Sequence, residues 1–191
     1  MLGLRNSIIS SNPVAKLIGT YTSDFSSNTD SWEPWSEEGT LTLTGAQNRP
    51  GGSSDANWLK GAYDTNQTNV TGIKRLNITT GWNRRSSDFF TVSFKIWLHN
   101  ESGEDWGGTD DVSIGFRVGD ETGYGEDING ATINHAIGQD QEVSVSIGPS
   151  PATTISDYND LVLLFNFPGD YPLADAEFYV KDIEVKFYGL G

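Results

Sequence analysis

The stretch FFTVSFKIWL, residues 89–98, indicates the fold class of this chain. Every second residue is large and apolar, and in an extended chain these residues share one side: Phe90, Val92, Phe94, Ile96 and Leu98. Alternation of period two is typical of a β-strand with one buried face. The stretch therefore predicts a strand that buries this apolar row and turns Lys95 and Trp97 to the opposite face.

The same alternation recurs in further segments, which we predict as strands: 40–44, 56–63, 71–79, 112–118 and 143–147. Residues 161–167 are apolar nearly throughout, which predicts a central strand covered on both faces. Stretches rich in Gly and Ser at 48–57 and 119–138 are typical of loops. The pattern contains no helix.

The last segment, AEFYVKDIEVKFYG at 176–189, changes its parity halfway. Phe178 and Val180 alternate on one parity, whereas Ile183, Val185 and Phe187 alternate on the other. One extra residue near Lys181–Asp182 reconciles the two halves, which predicts a β-bulge. With about eight or nine strands, we expect an all-β fold, a two-sheet antiparallel β-sandwich of jelly-roll type.

Composition narrows the classes of function. The 191 residues suit one domain with a sizeable core, and the net charge of −14 argues against nucleic acid as a partner. Cysteine is absent, which excludes disulfides and cysteine chemistry. No apolar run is long enough to cross a membrane. The only histidines are His99 and His135, and no catalytic motif accompanies them, so we expect a protein that is not an enzyme.

The first residues, MLGLRNSIISSNPVAKL, lack the apolar core of a signal peptide. They nevertheless carry many apolar side chains: Leu2, Leu4, Ile8, Ile9, Val14 and Leu17. We expect residues 1–20 to form an extended arm that docks on another protein, ahead of a jelly-roll domain at 21–191. The alternative is a disordered tail.

Three segments resemble the jelly-roll carbohydrate-binding modules attached to xylanases and glucanases: 23–35, 89–104 and 176–189. In that family a structural calcium ion often ties the first strand to the last. The resemblance implies Asp24 and Asp182 as calcium ligands, although Ser26 and Lys181 depart from the family pattern. The acidic loop at 104–111 is an alternative place for an ion.

Sugar recognition uses flat aromatic faces together with polar groups that bind hydroxyls. Trp97, Lys95 and Arg117 lie opposite the apolar rows of their strands, so we expect them to line one concave sheet, with Trp82 and Trp106 in flanking loops. The alternative is that Trp97 packs beneath a covering segment and that other tryptophans are core or edge residues: Trp32, Trp35 and Trp58.

The opening MLGLRNSI also resembles a short start found on tailed-phage virion proteins, with Arg5 where Gly is usual. This resemblance implies a non-catalytic virion component, a capsid decoration or fibre-like protein assembled in the host cytoplasm. Its partners would be capsid or tail proteins, further copies of itself and a cell-surface polysaccharide. One alternative is a free-standing extracellular carbohydrate-binding module, and another is a jelly roll that cleaves glycosides or acts as a polysaccharide lyase.

Overall fold

The computed structural model describes residues 14–36, 41–51, 55–63, 71–78, 88–100, 112–119, 130–137, 141–151, 161–166 and 176–190. These residues form eleven strands: β1 (Ala15–Ser23), β2 (Trp32–Ser36), β3 (Leu41–Gln47), β4 (Trp58–Tyr63), β5 (Thr71–Arg75), β6 (Phe89–Asn100), β7 (Val112–Gly119), β8 (Gly130–Ile137), β9 (Glu142–Pro151), β10 (Leu161–Asn166) and β11 (Ala176–Leu190). Over these ranges there is no helix that could cross a membrane.

The strands form two antiparallel sheets. The six-stranded sheet has the order β3-β4-β11-β6-β9, with β1 also paired to β11, and the five-stranded sheet has the order β2-β5-β10-β7-β8. The sheets face each other across an apolar core. The predicted all-β, two-sheet antiparallel sandwich is confirmed.

The core is built from the alternating rows that the sequence predicts. The apolar row of β6 is almost fully buried, and it packs in one cluster with residues of the opposite sheet such as Ile73, Leu161 and Leu163. Val162, on the other face of β10, is also fully buried. Over Leu161–Leu163, β10 is therefore covered on both faces, as expected for a central strand that lies between β5 and β7.

The bulge predicted in β11 is present. The register of β11 against β6 shifts between Lys181 and Glu184, and Asp182 adopts a positive φ of 54°. The extra residue brings Phe178 and Ile183 onto the same, core-facing side although their parities differ. On its other edge β11 pairs with β4 before the bulge and with β1 after it, so the bulge lies where β11 changes partner.

Strand β1 corrects the expected boundary of the N-terminal arm. Residues 15–20 pair with β11 and belong to the sheet, so the division after residue 20 is wrong. The sequence shows no alternation there because β1 pairs only with β11 among the described strands, and its early side chains stay exposed. Val14 is 84% exposed and Leu17 is 48% exposed. The other predicted docking residues lie outside the described residues, and docking stays a prediction: Leu2, Leu4, Ile8 and Ile9.

Strand β8 corrects the loop predicted at 119–138, because Gly130–Ile137 pairs with β7. Strand β2 was also missing from the predicted strands, and it contains Pro34. Both strands lie at the ends of the five-stranded sheet, where one row of backbone groups needs no partner strand. An edge position tolerates Pro and needs little apolar alternation, so it gives a weak sequence signal.

Candidate functional site

Three aromatic side chains form a cluster on the outer face of the six-stranded sheet, away from the core. Trp58 begins β4, Trp97 lies on β6, and Tyr179 lies opposite Trp97 on β11. The Tyr179 ring meets the Trp97 ring edge-on, with centroids 5.3 Å apart and an interplanar angle of 74°. All three are buried although they lie outside the sandwich core, and Trp97 is only 2% exposed. Other groups must therefore cover this aromatic cluster.

Cationic side chains provide much of that cover. The Arg49 Cζ atom lies 5.9 Å from the Trp58 ring centroid and 5.8 Å from that of Trp97. Lys181 Nζ lies 5.2 Å from the Trp58 centroid, and Lys60 Nζ lies 5.9 Å from that of Tyr179. A cation over an aromatic face is attracted by the ring quadrupole. The outer face therefore carries a packed layer of rings and cations.

Two carboxylates hold these cations in place. Asp55 accepts hydrogen bonds from Arg49 Nε at 3.0 Å and from Lys181 Nζ at 2.5 Å. The hydrogen bond from Lys181 is the main cause that lowers the pKa of Asp55 below its ordinary value. Glu177 accepts a hydrogen bond from the Tyr179 hydroxyl at 2.5 Å and forms an ion pair with Lys60.

A pocket of about 360 Å³ opens beside this cluster, lined by Arg49, Pro50, Gly51, Trp97 and His99. The His99 ring stacks on the Trp97 ring at a centroid distance of 5.3 Å and an interplanar angle of 13°. The two residues face the same side because they are two positions apart on β6. The pocket thus combines a stacked ring pair with the Arg49 guanidinium and the chain at Pro50 and Gly51.

The polar groups of this pocket have spare hydrogen-bonding capacity. Trp97 Nε1 is buried and has no hydrogen-bond partner among the residues that the structure describes. Within the same part of the chain, Arg49 uses only its Nε atom in a hydrogen bond, to Asp55. The buried Trp97 N–H is shielded from the pocket, whereas the Arg49 Nη groups remain as donors for a ligand.

The structure separates the residues that the sequence placed in one binding face. Trp97 and Lys95 lie on the outer face of β6, and Lys95 forms ion pairs with Asp182 at 3.3 Å and with Glu142 at 3.7 Å. Arg117 lies on β7, in the other sheet, so the expectation of one shared sheet is wrong. Consecutive strands of a sandwich can belong to opposite sheets, which alternation alone does not reveal. Trp82 and Trp106 lie outside the described residues.

The structure describes four of the six tryptophans and all four are buried, while a glycan-binding role stays a prediction. Trp97 lies beneath Arg49, Trp32 belongs to the core, and Trp35 and Trp58 are buried. The sequence pattern does not indicate the pocket residues Arg49, Pro50 and Gly51, which lie in a stretch predicted as a loop. His99 also lines the pocket, and its spacing of two residues from Trp97 is a signal that could have indicated it.

The predicted calcium ligands lie near each other. Ser23 on β1 pairs with Ile183 on β11, and the two strands are antiparallel. Asp24, which follows Ser23, is therefore next to Asp182, which precedes Ile183. Asp24 accepts the Ser26 backbone N–H at 3.0 Å, which lowers its pKa, and Lys95 already supplies Asp182 with a positive charge. In the described ranges no three His, Asp or Glu side chains converge on one point. The pair alone does not fit the six to eight oxygens that calcium prefers, and calcium binding stays a prediction.

No family model matches this chain, and no curated protein matches it in sequence. Among solved structures, the chain is similar to the C-terminal family 22 carbohydrate-binding module of Clostridium thermocellum Xyn10B. The sequence identity is 14%, the TM-score is 0.51, and the match covers 90% of this chain and 94% of that one.

Two further solved structures share the fold. The N-terminal tandem of family 22 modules from Paenibacillus barcinonensis Xyn10C matches with 15% identity and a TM-score of 0.50, over 96% of this chain and 51% of that one. An arabinose-bound α-L-arabinofuranosidase matches with 8% identity and a TM-score of 0.50, over 82% of this chain and 23% of that one. This chain therefore spans less than a quarter of the length of that enzyme. The resemblance drawn from the sequence is confirmed for the fold: the chain has the β-sandwich jelly roll of carbohydrate-binding modules.

Proposed function

We propose that this chain is a non-catalytic glycan-binding module and that the pocket beside Trp97 holds one sugar unit of a polysaccharide. The observation that carries the proposal is the stacked pair of Trp97 and His99 in a pocket that also contains Arg49. Glycan sites combine ring faces, which contact sugar C–H groups, with donors that bind hydroxyl oxygens. The pocket offers both.

Each part of the pocket has a role in this proposal. His99 is half-buried and Trp97 is buried, so the His99 ring is the part of the stacked pair that a sugar can contact. Trp97 is buried beneath Arg49 and supplies the ring against which His99 stacks. Gly51, with a φ of 74°, turns the chain beside the pocket, and a Cβ there would meet nothing within 4 Å.

The shared fold supports this proposal without identifying the glycan, since one fold hosts many functions. The Clostridium thermocellum structure is described as a study of amino acids in the cleft of its module in ligand binding. A polysaccharide partner is therefore reasonable for a chain of the same architecture, and a free-standing or attached module accounts for it more simply than a virion protein.

Isothermal titration calorimetry against soluble polysaccharides tests the proposal, with xylan, arabinoxylan, glucuronoxylan, mixed-linked β-glucan and polygalacturonate as probes. We expect at least one to bind the wild type and the affinity to fall about tenfold or more in His99→Ala, because stacking and desolvated contacts are lost. Lys186→Gln is the matched control, since Lys186 lies on β11 beyond the bulge and pairs with Glu184. If every probe fails to bind the folded wild type, or His99→Ala binds unchanged, the proposal is wrong.

A second candidate is the virion structural protein that the opening residues suggest, with capsid or tail proteins, or further copies of the chain, as partners. The observation in its favour is the exposure of three apolar side chains at the start of β1: Val14, Leu17 and Ile18. Leu17 and Ile18 are adjacent yet both about half exposed, where the register against β11 shifts. If this edge docks, virus particles assembled in the presence of the Leu17→Ser/Ile18→Ser double variant would lack this protein. Full incorporation of the double variant would refute docking through this edge.

A further inference from the structure

Among the described residues, the ionisable side chains that line the pocket are an arginine and a histidine, in a chain that is acidic as a whole. Arg49 and His99 are the ionisable groups among its lining residues. The whole sequence has 26 Asp and Glu against 12 Lys and Arg. Among the residues that the structure describes, the pocket has no lining carboxylate, unlike the average composition of this protein, and its chemistry suits an electron-rich ligand group.

Arg49 is held in a fixed orientation before any ligand arrives. Asp55 accepts a hydrogen bond from its Nε atom at 3.0 Å. Its Cζ atom lies 5.9 Å from the Trp58 ring centroid and 5.8 Å from the Trp97 ring centroid. The two Nη groups make no hydrogen bond within the described ranges. A guanidinium with both Nη groups unused is a planar pair of donors that matches the two oxygens of a carboxylate.

The surroundings make this donor pair more effective than a guanidinium on an open surface. The Arg49 side chain is 27% exposed, so water screens its charge only partly. Trp97, whose ring lies beneath this guanidinium, is only 2% exposed and lines the same pocket. The two Nη groups of Arg49 are thus available to one ligand unit, and both are donors only. A group that only accepts hydrogen bonds fits this set better than a hydroxyl does.

We propose that the sugar unit bound in this pocket is a uronic acid, whose carboxylate is recognised by the Nη groups of Arg49. The inference rests on the glycan-binding function proposed above and specifies its ligand class. The net charge of −14 opposes an acidic polymer at long range, but this repulsion is screened beyond about 8 Å at physiological salt, whereas a half-buried contact is screened less. Selectivity for the acidic sugar therefore persists at that salt concentration.

Matched pairs of oligosaccharides test the inference: glucuronoxylan and polygalacturonate oligomers, each with its carboxyl-reduced counterpart, titrated in 0.15 M salt. For the pair that binds, we expect the wild type to prefer the acidic form about tenfold or more, as charge-assisted hydrogen bonds exceed neutral ones. Arg49→Gln should abolish the preference, so that its affinities for the acidic and the reduced form agree within about threefold whatever their absolute value. Arg49→Lys keeps the charge without the planar donor pair and should retain only part of the preference.

The outcomes separate the inference from the function on which it rests. If acidic and reduced forms bind the wild type equally, the uronic acid inference is overturned and the glycan-binding function stands. If neither form of either oligomer binds, and neutral glycans do, the inference is likewise overturned. If no glycan binds, the proposed function itself fails. Thermal melting of Arg49→Gln and Arg49→Lys shows whether both remain folded, and Arg49→Lys keeps the test decisive if Arg49→Gln does not.

Discussion

Lys181 at the bulge of β11 donates a hydrogen bond of 2.5 Å to Asp55, which precedes β4. The same Nζ atom lies 5.2 Å from the centroid of Trp58. The bulge at Asp182 keeps the core-facing alternation of β11 intact. Its neighbour Lys181 helps to cover the aromatic cluster on the outer face. The bulge links the fold to the candidate site through this ion pair.

Replacing Asp55 with Asn should reduce stability in a pH-dependent way. The hydrogen bond from Lys181 lowers the pKa of Asp55 below 3.8, its ordinary value. A lowered carboxyl pKa contributes stability that is present above pH 3.8 and lost as the pH falls through the folded-state pKa. Urea unfolding of the wild type and of Asp55→Asn should therefore differ at pH 7 and converge at the acid end. A difference that stays constant from pH 7 to acid would contradict this.

Replacing Asp182 should show whether the positive φ at the bulge limits the choice of residue. Asp182 has a φ of 54°, which Asn tolerates and a β-branched residue does not. Asp182→Asn and Asp182→Val both remove the ion pair with Lys95, so their difference isolates the backbone term. We expect Asp182→Val to be less stable than Asp182→Asn by about 1–2 kcal/mol in urea unfolding. Equal stability would mean that the bulge does not constrain φ.

Replacing Gly61 should destabilise the sandwich where β4 pairs with β11. A Cβ at Gly61 would overlap the ring of Phe178, which is fully buried and pairs with Gly61 in register. We expect Gly61→Ala to lose about 1–3 kcal/mol of unfolding free energy through overpacking. Gly19→Ala is the control, because a Cβ at Gly19 meets nothing within 4 Å, and it should change stability by less than about 1 kcal/mol. A tolerated Gly61→Ala would contradict this packing.

Replacing Ser23 should test the hydrogen bond that joins the two sheets. The Trp32 indole of β2 donates to Ser23 Oγ of β1 at 2.9 Å, and this contact is buried. In Ser23→Ala the indole N–H loses its acceptor, so we expect a loss of about 1–3 kcal/mol of unfolding free energy. Thr22→Ala, at the exposed neighbouring position, should stay within about 0.5 kcal/mol of the wild type. Two variants of equal stability would show that the sheets do not depend on this bond.

The sequence predicts best where one face of a strand is buried. The row from Phe90 to Leu98 and the parity change at Lys181–Asp182 both express burial in the core, and both predictions are confirmed. Strand β8 is not predicted from the sequence, because it lies at a sheet edge. There it is held by backbone pairing with β7, which leaves no pattern of alternating side chains. The start of β1 escapes for a related reason, since its side chains are exposed.

The candidate site is only partly predictable, since it depends on which strands become neighbours. The period of β6 correctly turns Trp97 and Lys95 to the outer face. Arg49 reaches that face because β3 and β4 continue the sheet beyond β11, which no local pattern encodes. The same reasoning explains the misplacement of Arg117, because its strand follows β6 in the sequence but lies in the opposite sheet.

Glycan binding in the pocket beside Trp97 can be observed through the indole N–H signals in ¹H–¹⁵N spectra. The Trp97 signal is assigned as the one lost in Trp97→Phe, and the Trp32 signal, from the indole bound to Ser23 in the core, is the internal reference. On titration with a glycan that binds in calorimetry, we expect the Trp97 signal to shift with saturation while the Trp32 signal stays in place. A Trp97 signal that remains unmoved at saturation would mean that the glycan does not bind in this pocket.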